Sequence, residues 1–182
     1  MVFIITGATC VGKTLLAQRM LEKYNFPYLS IDHLKMGLIR SGNTMLTPLD
    51  DDALADYLWP IVKEIIKTAI ENKQNLIVEG CYVPFNWRES FNDDYLSSIR
   101  FICLAMTREY IINNFEKIKK HINDIESRIA EHDITIKHLS EENEKIINGF
   151  SEANEEIIII NDNYEKTINE ILISEKLKLP SY

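Results

Sequence analysis

A short apolar run, Val2 to Ile5, gives way at Gly7-Ala8-Thr9-Cys10-Val11-Gly12-Lys13-Thr14 to the stripe of a helix carrying Leu15, Leu16 and Met20. The order of strand, glycine-containing loop and helix constrains the fold severely, because the GxxxxGK[ST] spacing has a mechanical meaning only at such a junction. Glycines let the backbone curl until successive N–H groups point inward, with a helix N-terminus behind them. The concavity suits phosphate oxygens. Lys13 then reaches the β- and γ-phosphates, and Thr14 offers a hydroxyl to Mg²⁺. Gly7, Ala8, Thr9, Cys10, Val11, Gly12, Lys13 and Thr14 are therefore the candidate phosphate-binding residues. The plainer alternative, a turn with an incidental lysine, is disfavoured by the strand before it and the helix after it. A thiol at Cys10 near a helix N-terminus is either a tolerated spacer or a reactive group.

At 182 residues the chain fits a single domain, 1–182, with a sizeable core, since about 70% of the unfolded surface is buried at this length. A net charge of −8 argues against a nucleic-acid-binding surface. Cys10, Cys81 and Cys103 are odd in number and lack CxxC spacing, so neither a disulfide framework nor a zinc site is indicated. No basic leader precedes the first apolar run, and no stretch approaches membrane-spanning length. The expectation is a cytoplasmic protein with no membrane partner.

Further strands are expected at Tyr28–Ile31, ending at Asp32; at Leu76–Val78, ending at Glu79-Gly80; at Phe101–Ala105; and at Ile157–Ile160. Between them lie a short helix with Lys35 and Arg40, a helix opening on Asp50-Asp51-Asp52, a long helical region from Arg108 and a closing helix from Tyr164 to Leu177. Pro60 is expected to kink the second of these or divide it into 53–59 and 61–72. Alternating strands and helices predict an α/β fold with a parallel sheet and right-handed crossovers. Ligands of such sheets bind outside the carboxyl ends of the strands, where Asp32 and Glu79 stand.

From Ile111 to Phe150 the apolar residues form a seam with spacings of three and four: Ile111, Phe115, Ile118, Ile122, Ile125, Ile129, Ile136, Leu139, Ile146 and Phe150. A coiled coil is one reading. His132 and Asn143 fall on the seam and Ser140 looks like a new N-cap, which favours two helices with a loop near 131–139. Such a hairpin, 109–150, is a candidate lid. A helical pair that covers the sheet edge or dimerises is the alternative.

Taken together, Gly7 to Thr14, Asp32, Glu79-Gly80 and a helical segment with Arg128 before the last strand resemble the P-loop kinases of small molecules. These include nucleoside, nucleoside-monophosphate, shikimate and gluconate kinases, chloramphenicol phosphotransferase and the zeta-toxin kinases. The resemblance implies a three-layer fold with a five-stranded parallel sheet in the order 2-3-1-4-5 and a helical lid. It implies ATP and Mg²⁺ as cofactors, with Thr14 and Glu79 on the metal and Lys13 on the phosphates. Asp32 would act as base or position the acceptor hydroxyl, and Arg128 would be a lid arginine, here alone where several relatives carry a pair. Asn161-Asp162-Asn163 would lie near the adenine, and the absence of NKxD favours ATP over GTP.

His33, Arg40 and Arg88 are candidates for holding the acceptor, the arginines through a phosphate or carboxylate. The expected activity is transfer of the γ-phosphoryl group to a small hydroxyl-bearing metabolite or nucleoside. The alternatives are a nucleoside-monophosphate kinase, a zeta-toxin-like nucleotide-sugar kinase and a nucleotide-dependent switch or ATPase. Either a monomer or a homodimer is compatible with the seam.

Overall fold

The computed structural model describes residues 1–121 and 134–174. Five strands, β1 (Val2–Gly7), β2 (Tyr28–Ser30), β3 (Leu76–Glu79), β4 (Ile99–Met106) and β5 (Ile157–Ile160), form one parallel sheet in the order β2-β3-β1-β4-β5. This is the expected order. The central strand β1 is buried along its whole length, as a parallel strand covered on both faces must be.

The alternation of β1 side chains sorts the core into two. Phe3 and Ile5 point to one face, where α1 (Lys13–Tyr24), α5 (Arg108–His121) and α7 (Tyr164–Ile173) bring Leu16, Met20, Ile111 and Ile168. Val2 and Ile4 point to the other, against Ile31 of α2 (Ile31–Arg40) and Leu54, Leu58 and Ile66 of α3 (Asp51–Glu71). With each such side chain contributing roughly 1.5–3 kcal/mol on full burial, β1 fastens both helical layers to the sheet. A 3₁₀ turn (Trp87–Ser90) and the short α4 (Asp93–Ser97) lead into β4, and α6 (Ile136–Glu152) precedes β5. Among the described residues, no helix is long and apolar enough to cross a membrane.

Several local expectations are corrected. Pro60 does not divide α3, which runs unbroken through it. Both Pro60 and Asp56, whose carbonyl loses its usual donor, are exposed, so water can satisfy that carbonyl. Asp32 does not end a strand; it stands in the first turn of α2, after Ser30 at the N-cap. Ser140 does not open the helix before β5. Thr135 does, its side chain accepting from the His138 N–H, while Ser140 bonds back to the Ile136 carbonyl inside the helix. Thr107 caps α5, accepting from the Tyr110 N–H.

Within the described part of the seam, Ile111, Ile118, Leu139 and Phe150 are buried in the protein's own core, and α5 packs against α6. Ile122, Ile125, Ile129 and His132 lie outside the described residues, as does the middle of the candidate lid.

Candidate active site

Register brings the site together. Ile5 of β1 and Ser30 of β2 both pair with Glu79 of β3, so β2 and β3 end level and β1 runs two residues further, to Gly7. The segments that follow them, the glycine loop, the start of α2 and Gly80-Cys81, therefore crowd one carboxyl edge of the sheet.

Two glycines shape the loop. Gly7 has φ 139°, and a Cβ there would fall 2.0 Å from the Leu104 carbonyl oxygen of the neighbouring strand. Gly12 caps α1 at φ 85°, where a Cβ would meet the Tyr164 hydroxyl at 1.8 Å. Cys10 lies between them at φ 62°, a left-handed conformation that costs a non-glycine residue roughly 1–2 kcal/mol. The curl is thus held by the surrounding packing rather than by local preference.

Lys13 is 5% exposed, and its Nζ donates to the Ala8 carbonyl at 2.7 Å. Burial pulls its pKa down, but Cys81, Glu79 and Glu142 outweigh that and the net shift is upward, so the ammonium stays charged. The Thr14 hydroxyl donates to Glu79 Oε2 at 3.2 Å, and Glu79 is buried. A hydroxyl beside a carboxylate is a hard-oxygen set that suits Mg²⁺, an ion that takes few protein ligands and keeps waters and phosphate oxygens. Among the described residues there is no group of three or more His, Cys, Asp or Glu side chains that could hold a metal.

A second cluster adjoins the first at the ends of β2 and β3. Lys35 Nζ lies 2.5 Å from Asp32 Oδ1 and donates to the Tyr82 hydroxyl at 3.0 Å; that hydroxyl donates in turn to Asp51 Oδ1 at 2.8 Å. Burial, then Asp51, pushes the Tyr82 phenol far above its ordinary pKa, so it remains a donor. Cys81 feels both Lys13 and Asp32, which places it between the clusters, and burial raises its thiol pKa. Sequence reasoning singled out Asp32 but missed Lys35, whose spacing of three along a helix is a usable signal. Of the aromatics that follow Tyr82, Trp87 stacks on Phe101 at 5.0 Å, and Phe85 packs edge-on against Phe150.

Other expected residues are not gathered here. Arg88 forms a bidentate pair with Glu155 and lies over the Trp87 ring; Glu155 leads into β5, the sheet edge opposite β2. His33 and Arg40 are exposed on α2, Arg40 at its far end. Arg128 lies outside the described residues.

One residue arrives without any sequence signal. Glu142 of α6 accepts at a single oxygen, Oε1, from both the backbone N–H and the hydroxyl of Thr9, each at 2.9 Å. Its neighbour Asn143 accepts from the Met106 N–H at 2.6 Å and donates to the Leu139 carbonyl, fixing α6 to the end of β4.

No family model matches the chain, and no curated protein matches it in sequence. Solved structures do share its fold. A gluconokinase from Sinorhizobium meliloti is 11% identical, with a TM-score of 0.51 over 93% of this chain and 88% of that one. A sugar kinase from a Janibacter species is 14% identical, at 0.51 over 94% and 91%. A candidate kinase from Chloroflexus aurantiacus is 13% identical, at 0.54 over 94% and 93%. The fold is that of the P-loop small-molecule kinases. Identities this low speak for the fold alone.

Proposed function

We propose that the chain transfers the γ-phosphoryl group of ATP to a hydroxyl of a small molecule. The observation that carries this reading is the contiguity of two clusters on one sheet edge: the cradle with Lys13, and Asp32 held by Lys35, with Cys81 in electrostatic reach of both. In the proposed reaction Asp32 orients the acceptor hydroxyl and takes its proton as its oxygen bonds to the γ-phosphorus. The bond from that phosphorus to the β–γ bridging oxygen breaks, and ADP leaves. Lys13 and the inward N–H groups hold the charge of the phosphates. Thr14 and Glu79 would hold Mg²⁺, which would supply charge neutralisation for the phosphates. Arg128, from the candidate lid, is proposed as a further cation on the transferring group.

A hydroxyl acceptor is favoured over a nucleoside monophosphate because of where the arginines stand. Arg19 and Arg88 are engaged bidentately by Glu165 and Glu155, and Arg100 bonds to backbone carbonyls at the start of β4. The cluster around Asp32 holds two carboxylates, one ammonium and a phenol, and no arginine is seen to join it among the described residues. That balance suits an uncharged hydroxyl better than a phosphate. Two fold neighbours, a gluconokinase and a sugar kinase, bear names in keeping with this choice. His33 and Arg40 then serve at most at the rim.

A nucleotide-driven switch or ATPase is the second reading, favoured by the contact that ties α6 to the cradle through Glu142. One assay separates the two. The protein is incubated with γ-labelled ATP, Mg²⁺ and pools of nucleosides, sugars, hydroxy acids and antibiotics. Label entering one pool, and lost in Lys13→Ala, is the expected result. Label reaching only water at one rate with every pool overturns the kinase reading for those acceptors and supports the ATPase.

A further inference from the structure

The cradle already holds an anion that belongs to the chain. Glu142 Oε1 sits on the Thr9 N–H and hydroxyl, and its charge acts on both Lys13 and Cys81. Its second oxygen, Oε2, is buried and has no hydrogen-bond donor among the described residues. A carboxylate on an inward N–H of a phosphate loop, beside the loop's lysine, takes up donors that a phosphate oxygen requires. Two anions cannot share them without strong repulsion at this partly buried contact.

We infer that Glu142 is a built-in substitute anion, neutralising the cradle when no nucleotide is present and exchanging with the nucleotide's phosphates when one binds. Lys13 explains why such a group is useful. Its ammonium is almost fully buried, and a buried cation without a counter-charge destabilises the fold. Glu142 supplies part of that counter-charge and keeps the strained turn at Cys10 in its phosphate-ready form. The half-satisfied carboxylate suits a group that must leave, since Oε2 gives up nothing when it does.

The helix itself is pinned. Asn143 is buried on the Met106 N–H, and Phe150 is buried against Phe85 and Phe101. Exchange therefore proceeds by rotation of the Glu142 side chain, with α6 staying on the sheet. Its effect is to lower nucleotide affinity in return for a preformed site.

The inference rests on the proposed reading of Gly7–Thr14 as a nucleotide phosphate cradle and on nothing about the acceptor. It is tested by calorimetric titration of Mg²⁺-ATP into the wild-type protein, Glu142→Gln and Glu142→Ala. Both variants are expected to bind more tightly, Glu142→Ala by roughly tenfold or more and Glu142→Gln by less, because an uncharged amide competes more weakly for the same donors. The Thr9 amide resonance of the nucleotide-free protein is expected to move in both, which reports the contact without any ligand; Glu142→Gln keeps the side chain's size and so guards against misfolding. Binding that is equal or weaker in both variants overturns the exchange while leaving the kinase reading standing. Failure of all three proteins to bind ATP overturns both. A Thr9 resonance unmoved in either variant overturns the contact itself.

Discussion

The Thr14 hydroxyl donates to Glu79 Oε2 at 3.2 Å, joining the first turn of α1 to the end of β3 across 65 positions of sequence. Parallel pairing of β1 with β3, Ile5 opposite Glu79, makes the contact inevitable once the loop after β1 curls back into a helix. A hydroxyl and a carboxylate so placed are a metal-binding pair in waiting. Glu79→Gln keeps the size and can still accept from Thr14, but removes a hard anionic oxygen. The Mg²⁺ concentration for half-maximal phosphoryl transfer is expected to rise roughly tenfold or more, with metal-free nucleotide binding little changed. A Mg²⁺ titration of transfer, with calorimetry in excess chelator beside it, checks both halves.

Asp32 and Lys35 form the corresponding pair on the proposed acceptor side. Asp32→Asn is expected to bind ATP normally and to slow transfer by about 10²–10⁴-fold, the range of a lost general base. Lys35→Met leaves the carboxylate in place but frees it from its cation, so a smaller fall in kcat is expected, of about tenfold. Steady-state kinetics with the acceptor found by the label screen, alongside ATP binding by calorimetry, distinguish the two. Near-normal turnover in Asp32→Asn removes Asp32 from the chemistry.

How far these pairs were legible depended on distance along the chain. The cradle was readable because strand, loop and helix are consecutive, and the sheet order followed from the family the motif resembles. Asp32 was read one element too early, because buried Ile31 continues the apolar run of β2 although it already belongs to α2. Pro60 misled because the helix around it exposes the position where the missing N–H would matter. Glu142 was invisible: its partner Thr9 is 133 positions away, and an acid among Glu141, Glu144 and Lys145 reads as a solvated helix face. Asn143 did leave a trace. A polar residue on an apolar seam counted against a coiled coil, and the reason is now concrete, since its side chain satisfies the Met106 N–H at the carboxyl end of β4.

Tyr164 and Gly12 allow a test of packing behind the cradle. The Tyr164 hydroxyl is buried without a hydrogen-bond partner among the described residues, and burial raises its pKa well above that of a free phenol. Tyr164→Phe removes a polar group that nothing satisfies, so stability is expected to be unchanged or to rise by up to about 1 kcal/mol. Gly12→Ala does the opposite. A methyl at φ 85° lies 1.8 Å from that hydroxyl, and a loss of about 1–3 kcal/mol together with failure to bind ATP is expected. Adding Tyr164→Phe to Gly12→Ala recovers only part of the loss, because the ring carbon beneath the hydroxyl is itself 2.7 Å from the new methyl. Urea denaturation of the three variants measures the order.

Arg88 separates a structural arginine from a substrate-binding one. Its guanidinium is about half exposed, whereas the Glu155 side chain that it pairs with is only 4% exposed. Arg88→Ala therefore leaves a nearly buried carboxylate without its cation. A loss of about 1–3 kcal/mol in unfolding free energy is expected from that alone. The effect should largely disappear in the double variant Arg88→Ala/Glu155→Gln, which no longer buries an unpaired charge. Transfer kinetics should stay near wild type in the single variant, because Glu155 holds Arg88 toward β5 while Asp32 lies beyond β2, at the opposite edge of the sheet. A rise in acceptor KM with unchanged stability would reverse the assignment and return Arg88 to the acceptor site.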